Sequence, residues 1–144
     1  MYYSSLKKRI KKNEGFSTKP YKDQLGNFTI GFGHLIKKKE KHFLKKKYNK
    51  FFFERLFERD FLFAVKQYKI NFNKFNFSKK TKELIIEMIF QMGIKNVLKF
   101  KKMLINIKNK EKYLASLEMM NSLWYKQTPK RVENLISNYL KNDK

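Results

Sequence analysis

"YKDQLGNFTIGFGH", residues 21–34, stands apart from the chain around it. Lysine, phenylalanine, isoleucine and asparagine dominate elsewhere, whereas this stretch holds three of the five glycines together with Asp23, Thr29 and His34. Asp23 to Gly26 supply turn chemistry and residues 28–34 alternate, so residues 19–35 predict a small hairpin. In a strand from Phe28 to His34, Phe28, Ile30 and Phe32 share one face and pack inward, while Thr29, Gly31 and Gly33 share the other. That second face is nearly bare backbone around a single hydroxyl. Strand glycines mark either a tight bend or the close approach of a backbone or ligand, which makes Gly33 a candidate ligand contact.

Acidic residues flank the stretch. Glu14 closes the preceding helix, Asp23 follows nine residues later in the turn, and Thr29 lies six further on. The intervening "GFSTKP" can fold back so that both carboxyls border one groove. Two carboxyls facing each other across a sugar is the arrangement glycoside hydrolysis requires, one protonated and one ionised. Glu14 sits in a last helical turn, where the dipole disfavours an anion, and Phe16 can exclude water; both raise a carboxyl pKa, as a proton donor needs. Asp23 lies in a polar turn beside Lys22, a setting for a carboxylate, and the Thr29 hydroxyl can hold a water. The pair alone is also compatible with two ordinary surface acids.

The remainder reads as helix. Residues 2–13 form a short helix with Tyr3, Leu6 and Ile10 on one face, closed by Gly15. Residues 37–50 read as a solvated lysine-rich segment with weak helix. Residues 51–69 form a long helix with Phe53, Leu56, Phe57, Phe61, Ala64, Val65 and Tyr68 inward, and 70–77 reads as an irregular connection. Ser78 or Thr81 caps a buried central helix containing Leu84, Ile85, Met88, Ile89 and Met92, which Gly93 ends. Two or three helices follow across 95–127, with Leu117, Met120 and Trp124 inward. Thr128 caps a last helix, 129–144, that starts at Pro129. The fold class is α+β, predominantly helical.

Composition sets outer bounds. The 144 residues suit one domain, and 42% apolar with 17% aromatic content is too rich for a disordered chain. There is no cysteine, and His34 and His42 are the only histidines, which argues against disulfides and zinc. No cofactor is expected. The net charge of +23 draws polyanions such as nucleic acid, anionic membrane or acidic wall polymer, although AT-rich coding raises Lys, Asn, Ile and Phe together. No apolar run spans a membrane and no secretory signal is evident.

The combination of Glu14, Asp23 and Thr29 within this glycine-rich stretch resembles the phage T4-type lysozymes, endolysins of the muramidase class. "LFERDFLFAV" (56–65), "MIFQMG" (88–93) and "SLWYKQTPKRVENLI" (122–136) resemble that family's connecting helix, central helix and C-terminal segment, in the same order. The resemblance implies one lysozyme-like two-lobed domain over 1–144: a small lobe at 14–50, a connecting helix at 51–69, and a helical lobe at 70–144 joined by the N-terminal helix 2–13. It implies cleavage of the β-1,4 bond between N-acetylmuramic acid and N-acetylglucosamine with inversion, Glu14 as general acid, and Asp23 with Thr29 activating water. Inversion calls for carboxyls roughly 6.5–9.5 Å apart. Leu35, Phe90 and Gln91 fall on substrate-contact positions, Arg131 on an arginine near the acid, and His34 with Asp60 on a structural ion pair.

The implied partner is bacterial peptidoglycan, with anionic wall polymers or outer-leaflet lipids attracted by charge, no specific nucleic acid, and a monomeric state. The implied location is the host bacterial cytoplasm until release to the wall. The chain departs from the family in a shorter, lysine-rich 34–56 segment, and in Met103, Glu118 and Leu123 where polar or basic contacts belong. A lysozyme-fold module that binds cell wall or a partner without cutting, and a small basic nucleic-acid-binding protein, are the competing readings. The last helix also admits a membrane-disturbing role.

Overall fold

The structure is a computed structural model that describes residues 2–23 and 26–142. Gln24 and Leu25, the middle of the expected turn, and the last two residues of the expected final helix lie outside the described residues. The chain forms two compact units, with the boundary between Phe63 and Ala64.

In the first unit, α1 (Ser4–Glu14) buries Leu6 and Ile10, four residues apart on one face. Gly15, at φ 71°, ends it by donating its N–H to the Lys11 carbonyl. Three antiparallel strands follow in the order β1 (Ser17–Lys22), β2 (Phe28–Gly31) and β3 (His34–Leu35). The expected single strand from Phe28 to His34 therefore breaks. Gly31 and Gly33 adopt φ 65° and 75°, the left-handed region that glycine enters without a Cβ penalty, and the chain reverses at Phe32. Pairing of Ile30 with His34 and Thr29 with Leu35 gives the third strand.

The reversal also changes the faces. Ile30 is buried as expected, but Phe28 is 46% exposed and Thr29, on the opposite face, is buried. Both sides of β2 are thus covered near its end. A core of Ile30, Phe43, Phe53 and Leu56 forms beneath the sheet, flanked by Phe32, Ile36, Tyr48 and Phe52. Phe43 belongs to a 3-10 helix, Lys38–Leu44, so the segment expected to be solvated contributes an inward aromatic while its lysines stay outside. Tyr48 stacks on Phe52 at 4.2 Å.

α2 (Lys50–Phe72) carries the chain across the unit boundary. Its buried residues are the seven expected ones plus Phe72. Residues 70–72, read from sequence as irregular, continue the helix because Phe72 falls on the same buried stripe; a 3-10 turn and left-handed Asn76 then end the run. Within the first unit, α1 is tied to α2 by Lys7–Glu58 at 2.9 Å and by Lys11–Glu54.

The second unit is helical. Ser78 caps α3 (Lys79–Met92) by accepting from the Thr81 N–H, and Gly93 at φ 84° closes it. Four helices follow instead of two or three: α4 (Ile94–Leu98), α5 (Lys101–Lys108), α6 (Lys112–Met120) and α7 (Leu123–Gln127). Pro129 opens α8 (Pro129–Tyr139), which buries Val132, Leu135 and Tyr139 and stops short of residue 144. Thr128 does not cap it with its side chain; the hydroxyl instead donates to the Trp124 carbonyl at 3.2 Å and satisfies the end of α7. Trp124 is buried, but Leu117 and Met120 point outward, because α6 turns Ala115, Ser116 and Met119 to the core.

Candidate active site

Glu14 is the last residue of α1, so its position follows from where that helix stops. Immediately after the Gly15 turn, Phe16 lies against Phe32 at 4.7 Å between ring centroids and meets the Phe53 ring edge-on at 5.8 Å. These contacts clamp the helix end to the β2–β3 reversal. Gly33 lies there, and a Cβ built on it would overlap Glu14 Oε2 outright and stand 2.7 Å from the carboxyl carbon. The Glu14 carboxyl therefore rests on Gly33 backbone. Gly31 serves a different contact: its Cβ would strike the Phe53 ring at 2.7 Å. The two glycines expected to leave a bare strand face are each filled by a side chain, one aromatic and one acidic.

Asp23 follows β1. Its Oδ1 accepts from the Asn27 N–H at 2.9 Å, and the two residues also share a backbone bond of 2.8 Å. This local closure, in which an aspartate side chain mimics a backbone turn, fixes the carboxylate's orientation. Thr29 pairs with Tyr21 across the sheet. Its hydroxyl donates to the Tyr21 carbonyl at 3.2 Å, so its oxygen offers lone pairs to any further partner. The Lys22 ammonium lies 5.4 Å over the Phe28 ring.

His34 is buried between two carboxylates. Nδ1 lies 2.7 Å from Asp60 Oδ2, and Nε2 lies 3.1 Å from Glu40 Oε1. Burial opposes charge on the ring, but Asp60 and Glu40 outweigh it and the His34 pKa is raised. Burial likewise pushes the Glu40 carboxyl up, yet the Lys37 N–H and His34 hold it below its ordinary value. Sequence reading missed Glu40, although it is the only acid between Asp23 and Glu54, amid a run of lysines.

Leu35, next to His34 in β3, is exposed. The other candidates belong to the second unit. Phe90 and Gln91 are half-buried at the end of α3, and Gln91 Oε1 accepts from the Trp124 indole N–H at 3.0 Å. Arg131 Nη2 stands 4.0 Å from Oε2 of Glu87, a fully buried residue of α3. Met103 and Glu118 line a 410 Å³ cavity with Lys99, Lys101 and Lys102, while Leu123 is exposed. Among the described residues no cluster of His, Asp and Glu is placed to hold a metal, and no helix is long and apolar enough to cross a membrane.

Residues 11–138 match the phage lysozyme family. The chain belongs to that family. Two probable T4-type lysozymes of Dictyostelium discoideum, numbered 2 and 1, are 38% and 37% identical to it, each alignment covering 93% of this chain and 92% of the relative.

This phage lysozyme family member is therefore an enzyme of the lysozyme class, a hydrolase that degrades peptidoglycan. The first alignment runs to 159 positions, more than the 144 residues of the chain, so the relative carries stretches this lysozyme lacks. The match begins at Lys11, inside α1, and takes in Glu14, the sheet, and everything through α7 and most of α8.

Proposed function

We propose that this lysozyme cleaves the β-1,4 bond between N-acetylmuramic acid and N-acetylglucosamine by general acid and base catalysis with inversion. Glu14 gives its proton to the glycosidic oxygen as the C–O bond breaks. A water oxygen then bonds to the anomeric carbon from the opposite face, and Asp23 takes the proton that water loses.

The observation that carries the reading is the contact between the Glu14 carboxyl and the Gly33 backbone. It holds the end of α1 on the same three-stranded sheet whose β1 leads into Asp23 and whose β2 carries Thr29. Thr29 fits the role of positioning water. With its O–H committed to Tyr21, it acts toward water as an acceptor. A water donating one hydrogen to Thr29 and one to the fixed Asp23 carboxylate keeps a lone pair free for attack. Leu35 and Gly33 are proposed to contact the glycan, and His34 with Asp60 to hold the sheet.

The protein is proposed to act as a monomer on the wall, with its +23 charge strengthening attraction to anionic polymers. An endolysin role, lysis of a bacterium from within, rests on the sequence resemblance; the relatives from Dictyostelium do not extend to it. Turbidity clearing of purified peptidoglycan tests the reading. Wild type should clear it, and Glu14→Gln should be slower by roughly 10²–10⁴-fold or more, the usual worth of a general acid. Equal clearing by both proteins would overturn the assignment of Glu14.

A further inference from the structure

α6 carries apolar side chains on two sides. Ala115 and Met119 point to the core, whereas Tyr113, Leu114, Leu117 and Met120 lie on the outward arc, and Leu123 at the start of α7 is exposed as well. Tyr113 is 77% exposed, Leu117 58% and Leu123 68%. Scattered surface leucines are ordinary, but a contiguous outward stripe on one helix marks an interaction surface.

The neighbourhood of the stripe is cationic. Lys99, Lys101 and Lys102 line the cavity whose other wall is Glu118, Asn121 and Ser122. Those wall residues neighbour Leu117, Met120 and Leu123 in sequence, and Glu118 is one acid facing three lysines across the cavity. Lys108 and Lys110 stand at the turn that leads into α6. The surface thus offers apolar groups and positive charge side by side.

We propose that this face of α6 and the start of α7 docks on an anionic phospholipid bilayer. Charge decides among occupants. A second copy would bring another +23 net charge against the same lysines. A nucleic acid or glycan strand would satisfy the lysines but leave the leucines in water. An anionic bilayer meets both, with leucine and tyrosine at the headgroup–acyl boundary and ammonium groups among the phosphates. The surface lies wholly in the second unit and does not use Glu14, Asp23 or Thr29.

Vesicle co-sedimentation tests the proposal, using phosphatidylcholine alone and phosphatidylcholine with phosphatidylglycerol. The wild type should bind the phosphatidylglycerol vesicles, and Leu114→Ser/Leu117→Ser should bind them roughly tenfold more weakly with unchanged circular dichroism. Lys101→Gln/Lys102→Gln should weaken binding at low salt and lose that effect at high salt. Equal binding by wild type and the double serine variant would overturn the proposal, since the lysine field alone would then explain association. A wild-type dimer by sedimentation velocity, made monomeric by the serine substitutions, would overturn it in favour of a second copy.

Discussion

The Glu14 carboxyl and Gly33 are in contact with no room for a methyl group between them. Gly33 also sits at φ 75°, a conformation that costs an L side chain roughly 1–2 kcal/mol. Gly33→Ala therefore adds backbone strain and displaces the carboxyl. We expect it to lose about 1–2 kcal/mol of stability and most wall-clearing activity. Gly93→Ala is the contrast: at φ 84°, with nothing within 4 Å of a built Cβ, it should lose similar stability but keep most activity. Denaturant melts and clearing rates on the two variants check this.

Asp23 separates structure from chemistry. Its Oδ1 accepts from the Asn27 N–H, a role an asparagine carbonyl can keep. Asp23→Asn should therefore unfold within about 0.5 kcal/mol of wild type, as benign surface changes do, while clearing falls by roughly 10²-fold or more. A destabilised variant with residual activity in proportion to its folded fraction would show that Asp23 serves only the turn.

Thr29 is buried and its hydroxyl bonds the Tyr21 carbonyl. Thr29→Val removes both the donor to Tyr21 and the acceptor proposed for water, whereas Thr29→Ser retains them. Valine should lose about 1–3 kcal/mol, the usual consequence of stranding a buried acceptor, together with activity. Serine should recover most of the rate. Parallel melts and initial rates distinguish the two.

The His34 cluster gives a pH dependence. A raised histidine pKa contributes stability below its ordinary value of 6.5 and loses it as pH rises through the shifted value. A lowered glutamate pKa contributes above its ordinary value of 4.5 and loses it as pH falls. The two contributions overlap between pH 4.5 and 6.5. The difference in melting temperature between wild type and His34→Asn should be largest in that window, about 3 °C or more, and shrink at higher pH. A flat difference across pH would remove the ionic account of the cluster.

Signals carried by one residue's own backbone or by helical spacing were legible in the sequence. Gly15, Ser78, Gly93 and Pro129 mark helix ends where expected, and the buried stripe of α2 follows its periodicity. Signals that depend on a partner element were not. Alternation from Phe28 to His34 could not reveal positive φ at Gly31 and Gly33, because glycine reads alike in a strand and a turn. Phe43 looked solvated among lysines, since spacing does not say that Ile30 and Phe53 wait beneath it. Leu117 and Met120 looked inward because an apolar residue on a helix is ordinarily core, and nothing local reports that α6 has its core on the other side. In the candidate site, the acids and the hydroxyl were nameable from type and order, while Glu40 on His34 needed the fold of the 3-10 segment.

The most direct measurement is mass spectrometry of purified peptidoglycan after digestion, with the anomer of the first product followed by NMR. The account predicts fragments with N-acetylmuramic acid at the reducing end, released as the α-anomer, and released roughly 10²-fold or more slowly by Glu14→Gln. Fragments ending in reducing N-acetylglucosamine, products cut in the peptide stems, or first-formed β-anomers would contradict it.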